Sequence, residues 1–95
     1  MSRGTSEAVL EERLRRRVIA AGGKIRKVSW PGVRGAPDRF VMLPGYHCFI
    51  ELKAASGRLA GHQMREIASM RSSGVSVFVV HGENELEDLF QVLGV

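Results

Sequence analysis

Two apolar segments separated by a tight turn constrain the fold of this chain most strongly. Residues 39–43 read RFVML and residues 46–53 read YHCFIELK, and the Pro44-Gly45 pair between them is a turn signal. We therefore predict a hairpin of two antiparallel strands. In an antiparallel pair the start of one strand lies beside the end of its partner. The hairpin should thus bring the residue before position 39 next to residues 51–53.

Charged side chains cluster at the end of this hairpin that lies opposite the turn. Asp38 immediately precedes the first strand, and Glu51 and Lys53 lie at the end of the second. Residues two apart on a strand point to the same face, so all three side chains can reach one pocket. One or two carboxylates are enough to hold Mg²⁺, a hard cation that keeps several of its waters. The trio suits metal-assisted hydrolysis of a phosphodiester, although ordinary charged residues at strand ends are an alternative interpretation.

The remaining sequence predicts three helices and two further strands. The predicted elements are a helix over about residues 6–21, a strand over 24–30, the hairpin, a helix over about 60–72, a strand over 75–80 and a helix over about 85–93. Thr5 or Ser6 can cap the first helix, and Asn84 the last. The order is α-β-β-β-α-β-α. Because a helix separates the third strand from the fourth, these two should be parallel, which gives an α/β fold with a mixed sheet flanked by helices.

The first predicted helix carries two carboxylates beside its apolar stripe. Apolar residues recur at helical spacing at positions 10, 14 and 18, and Glu7 and Glu11 border that stripe. A carboxylate beside a core needs a partner or a metal ion. Either glutamate can therefore contribute to the metal site, and a simple pair facing Arg15 is the other interpretation.

Three segments of the chain carry a family resemblance. They are Gly35-Ala36-Pro37-Asp38, then Ile50-Glu51-Leu52-Lys53, then Gly57-Arg58-Leu59 with Gln63 ten residues after the lysine. These segments resemble the VRR-NUC domain (virus-type replication-repair nuclease), a branch of the PD-(D/E)xK nucleases that is similar to archaeal Holliday-junction resolvases. The similarity covers nearly the whole chain. It implies a restriction-endonuclease-like core, which agrees with the predicted order of elements.

The resemblance also implies roles for the matching residues. The implied catalytic residues are Asp38, Glu51, Lys53 and Gln63. The implied ligands of Mg²⁺ or Mn²⁺ are Glu11, Asp38, Glu51 and the backbone carbonyl of Leu52, with Glu7 as the alternative to Glu11. Lys53 is expected to stay charged beside two carboxylates, which favours electrostatic stabilisation over general-base catalysis. Gln63 would hold a water or a phosphate, and a plain surface glutamine is the alternative.

The charge balance favours a polyanionic partner. The net charge is +4, which places nucleic acid ahead of a membrane as the partner. Residues that could contact phosphate are Lys27, Ser29, Arg34 and Arg58.

Trp30 could stack on a base, but a partly buried position is the preferred interpretation. His47 and His81 have no recognisable constellation of functional residues around them. The single cysteine, Cys48, is expected to be a buried structural thiol.

Neither a signal-peptide pattern nor a membrane-length apolar run is found, so we expect a cytosolic protein of a bacterium, or a viral (phage) protein in a host cell. We expect residues 1–95 to form a single domain.

These observations predict a Mg²⁺-dependent, structure-selective DNA endonuclease of replication, repair or recombination, acting on branched DNA such as Holliday junctions. A four-way junction has approximate two-fold symmetry, which favours a homodimer. The loop at residues 31–36 and the helix that carries Phe90 are candidate interfaces. A restriction-type, nicking or flap nuclease is an alternative, as is a DNA-binding module without catalysis.

Overall fold

A computed structural model describes residues 5–95, which form a four-stranded sheet with helices on both faces. The elements are α1 (Glu7–Ala20), β1 (Lys24–Lys27), β2 (Arg39–Leu43), β3 (Tyr46–Lys53), α2 (Gly61–Ser72), β4 (Val77–His81) and α3 (Gly82–Leu93). This order and the α/β class confirm the prediction from sequence. No helix within residues 5–95 has the length and apolar character needed to cross a membrane.

The sheet is mixed, with the strands in the order β1-β2-β3-β4. β2 is antiparallel to both β1 and β3, whereas β4 is parallel to β3. The β2–β3 hairpin turns at Pro44-Gly45 as predicted. Its register pairs Arg39 with Ile50, so Asp38, one residue earlier, lies level with Glu51.

Apolar side chains on each face of the sheet hold the helices in place. The core on the first face contains Leu10, Leu14 and Val18 of α1 and Leu86, Leu89 and Phe90 of α3. On the opposite face α2 buries only Ile67 and Met70. Full burial of such a side chain contributes about 1.5–3 kcal/mol, so α2 is the least firmly anchored of the three helices.

β1 is shorter than predicted, since it ends at Lys27 and not at Trp30. Its partner β2 begins at Arg39, which pairs with Lys27. Residues after Lys27 therefore have no residue of β2 to pair with. One more hydrogen bond follows, from the Val28 N–H to the Asp38 carbonyl at 2.9 Å. Trp30 is half-buried, as preferred, and its indole N–H donates to the Pro37 carbonyl at 2.8 Å.

The ends of several other elements also differ from the prediction. Ser6 caps α1 by accepting the Val9 N–H at 3.3 Å, which selects one of the two predicted caps. β4 spans Val77–His81 and not 75–80, and α3 begins directly after it. Asn84 therefore lies within α3 and does not cap it. The Glu85 carboxylate instead accepts the backbone N–H of His81 at 2.8 Å, which allows the helix to begin earlier.

Candidate active site

The end of the hairpin opposite the turn forms one wall of a pocket of about 320 Å³. α1 supplies another wall. The lining residues are Glu7, Ala8, Glu11, Asp38, Arg39, Glu51 and Leu52. The structure thus brings together the two carboxylates of the hairpin, Leu52 and both glutamates of the first helix.

Among residues 5–95, Glu51 is the one charged residue that is buried, with 8% of its surface exposed. Burial raises the pKa of its carboxyl group, and the negative charges of Asp38 and Glu7 raise it further. The positive charges of Lys53 and Arg39 act in the opposite direction. A carboxylate in such surroundings is costly to keep ionised unless a cation is nearby.

Lys53 and Gln63 both reach Glu51. The Lys53 Nζ lies 3.8 Å from Oε2 of Glu51, and the side-chain amide of Gln63 donates to the same oxygen at 3.4 Å. The Gln63 Oε1 in turn accepts the Ala60 backbone N–H at 2.9 Å, which orients the amide group. All four residues with an implied catalytic role are therefore connected, either through the pocket or through Glu51.

Gly35 positions the start of α2 against this site. Its φ is +88°, and a Cβ at this position would lie 2.5 Å from the His62 carbonyl oxygen and 2.9 Å from the Gln63 Cα. Only glycine combines this backbone conformation with so close an approach. The leading glycine of the Gly-x-Pro-Asp motif thus couples the position of Gln63 to that of Asp38.

Arg39 is a site residue that the sequence interpretation missed, because it was counted as part of an apolar strand. Its Nη1 lies 2.9 Å from the Asp38 carboxylate, and its Nε lies 3.7 Å from that of Glu11. Glu11 therefore forms its ion pair with Arg39 and not with Arg15, the partner that helical spacing offers. The sequence feature that could have indicated this role is the position of an arginine directly after Asp38 of the Gly-x-Pro-Asp motif.

The two glutamates of α1 make different interactions. Glu11 is paired with Arg39, whereas the negative charge of Glu7 acts on the pKa of Glu51. Both line the pocket, so the choice of Glu11 as a metal ligand stays a prediction and Glu7 stays its alternative.

The donor set fits a hard divalent cation that keeps part of its water shell. Among residues 5–95, no three Asp, Glu, His or Cys side chains lie close enough together to hold a metal ion. Mg²⁺ does not need such a cage, since it commonly binds through one or two carboxylates and several waters. The Asp38 and Glu51 carboxylates share the pocket with Leu52, the residue implied to offer its carbonyl.

Of the residues predicted to contact phosphate, two lie near the pocket. Lys27 is opposite Arg39 in the β1–β2 register. Ser29 follows Val28, whose backbone N–H donates to the Asp38 carbonyl. Arg34 is exposed on the loop next to Gly35. Arg58 is not in the pocket lining and belongs to a separate groove.

This second groove, of about 600 Å³, includes an imidazole–carboxylate pair. Among its lining residues are Arg58, Met64, His81 and Glu85. The His81 Nδ1 lies 3.1 Å from Glu85, and His81 is paired with Lys53 in the parallel register of β3 and β4. The sequence interpretation had found no constellation around His81. The available signal was its spacing of four residues from Glu85.

Comparison with known proteins identifies the family. No protein-family model matches the chain. A protein described as "Putative nuclease p44", from Acyrthosiphon pisum secondary endosymbiont phage 1, is 37% identical over 79 residues, which is 82% of this chain and 85% of the phage protein. A solved structure described as "VRR_NUC domain" aligns with a TM-score of 0.82 and 34% identity, covering 92% of this chain and 97% of that chain. The chain belongs to the VRR-NUC family of nucleases, which confirms the resemblance found in its motifs.

Proposed function

We propose that this protein is a Mg²⁺- or Mn²⁺-dependent endodeoxyribonuclease. The observation that carries the proposal is the buried Glu51 carboxylate, which shares a pocket with Asp38 and is contacted by Lys53 and Gln63. A carboxylate with a raised pKa in a pocket is typical of a functional site. The nuclease name of the phage relative agrees with this proposal.

Each site residue has a role that its surroundings support. Asp38, Glu51 and the carbonyl of Leu52 would hold the cation, with Glu11 or Glu7 contributing from α1. A divalent cation bound there supplies Lewis-acid activation of the phosphate and of a water molecule. Lys53 stabilises the negative charge that develops on the phosphate. Gln63 holds Glu51 in position and can orient the attacking water.

The proposed substrate is branched DNA, with four-way junctions first. A domain of this size has little surface for reading bases, so recognition of DNA shape is favoured over recognition of sequence. Phosphate contacts from Lys27, Ser29, Arg34 and Arg58 would position the DNA. The proposed place of action is the cytosol of a bacterium, including one infected by a phage, without a membrane partner.

We further propose a homodimer, because two symmetry-related strands of a junction need two sites. Phe90 is 2% exposed and cannot supply an interface. On the same helix, the exposed large apolar residue is Val92, at 69%. On the loop at residues 31–36, Val33 is 45% exposed.

Cleavage of a labelled DNA panel tests the function. The panel contains a four-way junction, a flap, a fork and a linear duplex, each incubated with Mg²⁺, with Mn²⁺ or with EDTA. We expect metal-dependent, paired cuts in the four-way junction and little cleavage of the linear duplex. Preference for the flap or fork would overturn the junction proposal, and cleavage that persists in EDTA would overturn metal dependence.

A further inference from the structure

Arg39 lies between the carboxylates of two different elements. It begins β2, and its guanidinium contacts Asp38 at 2.9 Å and Glu11 of α1 at 3.7 Å. Its side chain is 19% exposed, against 47% for that of Asp38. Its Nε is buried and has no hydrogen-bond partner within the described residues. The guanidinium is thus held in the pocket wall by ion pairs, with one donor unsatisfied.

The charges around the pocket explain why a cation is needed at this position. Four carboxylates line the pocket, those of Glu7, Glu11, Asp38 and Glu51. Like charges that share one pocket repel one another unless a positive charge balances them. Lys53 is directed at Glu51, so Arg39 is the cation that contacts Asp38.

We propose that Arg39 is an internal counterion of Asp38, and that a divalent cation competes with it for this carboxylate. This inference rests on the proposed function, in which Asp38 is a metal ligand. A doubly charged cation held by the Asp38 carboxylate would repel the guanidinium, which lies 2.9 Å from the same carboxylate. If Glu7 is the ligand that α1 contributes, Glu11 stays with Arg39, which then keeps a counter-charge when the cation competes for Asp38. Arg39 is therefore a positioning residue, which keeps Asp38 in place before the cation arrives.

Binding of Mn²⁺ in the absence of DNA tests this inference without relying on activity. The variants are Arg39→Gln, which removes the charge, and Arg39→Lys, which keeps it. Arg13→Gln is the matched control, because Arg13 also pairs with two carboxylates, those of Glu83 and Glu87, but does so between α1 and α3. Titrations followed by electron paramagnetic resonance of free Mn²⁺ give the affinities.

We expect Arg39→Gln to bind Mn²⁺ about two- to fivefold more tightly than the unmodified protein, the range for loss of one ion pair. We expect Arg39→Lys and Arg13→Gln to stay close to the unmodified affinity. Without metal, Arg39→Gln should melt at a lower temperature, and Mn²⁺ should raise its melting temperature by more than it raises that of the unmodified protein. Should Arg39→Gln fail to fold, Arg39→Met keeps the apolar stem of the side chain and serves instead.

Two results would overturn the inference, and they distinguish its failure from that of the metal site. Equal or weaker Mn²⁺ binding by Arg39→Gln, while Asp38→Asn abolishes binding, would show that the metal site exists and that Arg39 does not compete for it. Absence of Mn²⁺ binding by the unmodified protein would overturn the metal site itself, and the inference with it.

Discussion

Gln63 donates its side-chain amide to the Glu51 carboxylate at 3.4 Å, while its own oxygen accepts the Ala60 N–H at 2.9 Å. The first turn of α2 is therefore part of the site, although this helix buries only Ile67 and Met70. A helix so lightly anchored depends on local contacts to place Gln63 correctly.

Substitution of Gln63 by glutamate should disable the site. It places a second negative charge beside a buried carboxylate, so the two groups repel each other and the pKa of Glu51 rises further. We expect cleavage of branched DNA to fall at least about tenfold at pH 7.5. Gln91→Glu is the matched control, because Gln91 is the other glutamine of the chain and is exposed on α3. Equal cleavage by both variants would remove Gln63 from the site.

Substitution of Gly35 by alanine should damage the site through the backbone. The new Cβ meets the backbone of α2 at 2.5 Å and also strains a positive φ. We expect a loss of about 1–3 kcal/mol in the free energy of unfolding, together with loss of cleavage. Gly32→Ala is the matched control, since its φ is also positive, at +79°, but nothing lies within 4 Å of the added atom. Chemical denaturation and cleavage assays on both variants separate contact from strain. Similar cleavage by the two would contradict the coupling of Gly35 to α2.

His81 should contribute to DNA affinity. Glu85 orients its ring, and the ring lines the groove next to the strand that carries Lys53. We expect His81→Gln to weaken binding of a four-way junction about two- to fivefold, by loss of a phosphate contact. His47→Gln, at an exposed histidine that packs against Phe40, should leave binding unchanged. Fluorescence anisotropy at several salt concentrations measures both, and indistinguishable curves would exclude His81 from the DNA surface.

Cys48 should be inert in the folded protein. It is 1% exposed, and burial raises the pKa of its thiol to about 11. At pH 8 the thiolate is therefore scarce as well as inaccessible. We expect a thiol reagent such as DTNB to react only after denaturant unfolds the chain. Rapid labelling of the native protein would contradict the packing of β3 under α1 and α3.

The sequence predicted the hairpin and the convergence of Asp38 and Glu51 because both follow from local signals. Strand periodicity and the Pro44-Gly45 turn fix the antiparallel register, and the register fixes which residues meet. The glutamine of α2 could be found only from the family motif, since its contact with Glu51 crosses from a helix to a strand.

The features that the sequence did not reveal depend on tertiary packing. The role of Arg39 requires α1 to lie over the start of β2. Along α2, helical spacing places both Met64 and Ile67 on one apolar side, but Met64 is 55% exposed, whereas Met70 is 9% exposed. Which methionine is buried depends on the angle at which the helix meets the sheet, and no local pattern encodes that angle. Asn84 is a good cap in isolation, but the interaction of Glu85 with His81 moves the start of α3 forward.

The central claim is that Asp38 and Glu51 form a metal-dependent nuclease site. Cleavage of a four-way junction by purified Asp38→Asn protein tests this claim most directly. Asp88→Asn is the matched control, at the chain's other aspartate, exposed on α3. We predict that Asp38→Asn loses at least about a hundredfold in Mg²⁺-dependent cleavage rate but binds the junction as tightly or more tightly, because a negative charge near phosphate is lost. Asp88→Asn should cleave at the unmodified rate. Undiminished cleavage by Asp38→Asn would contradict the account.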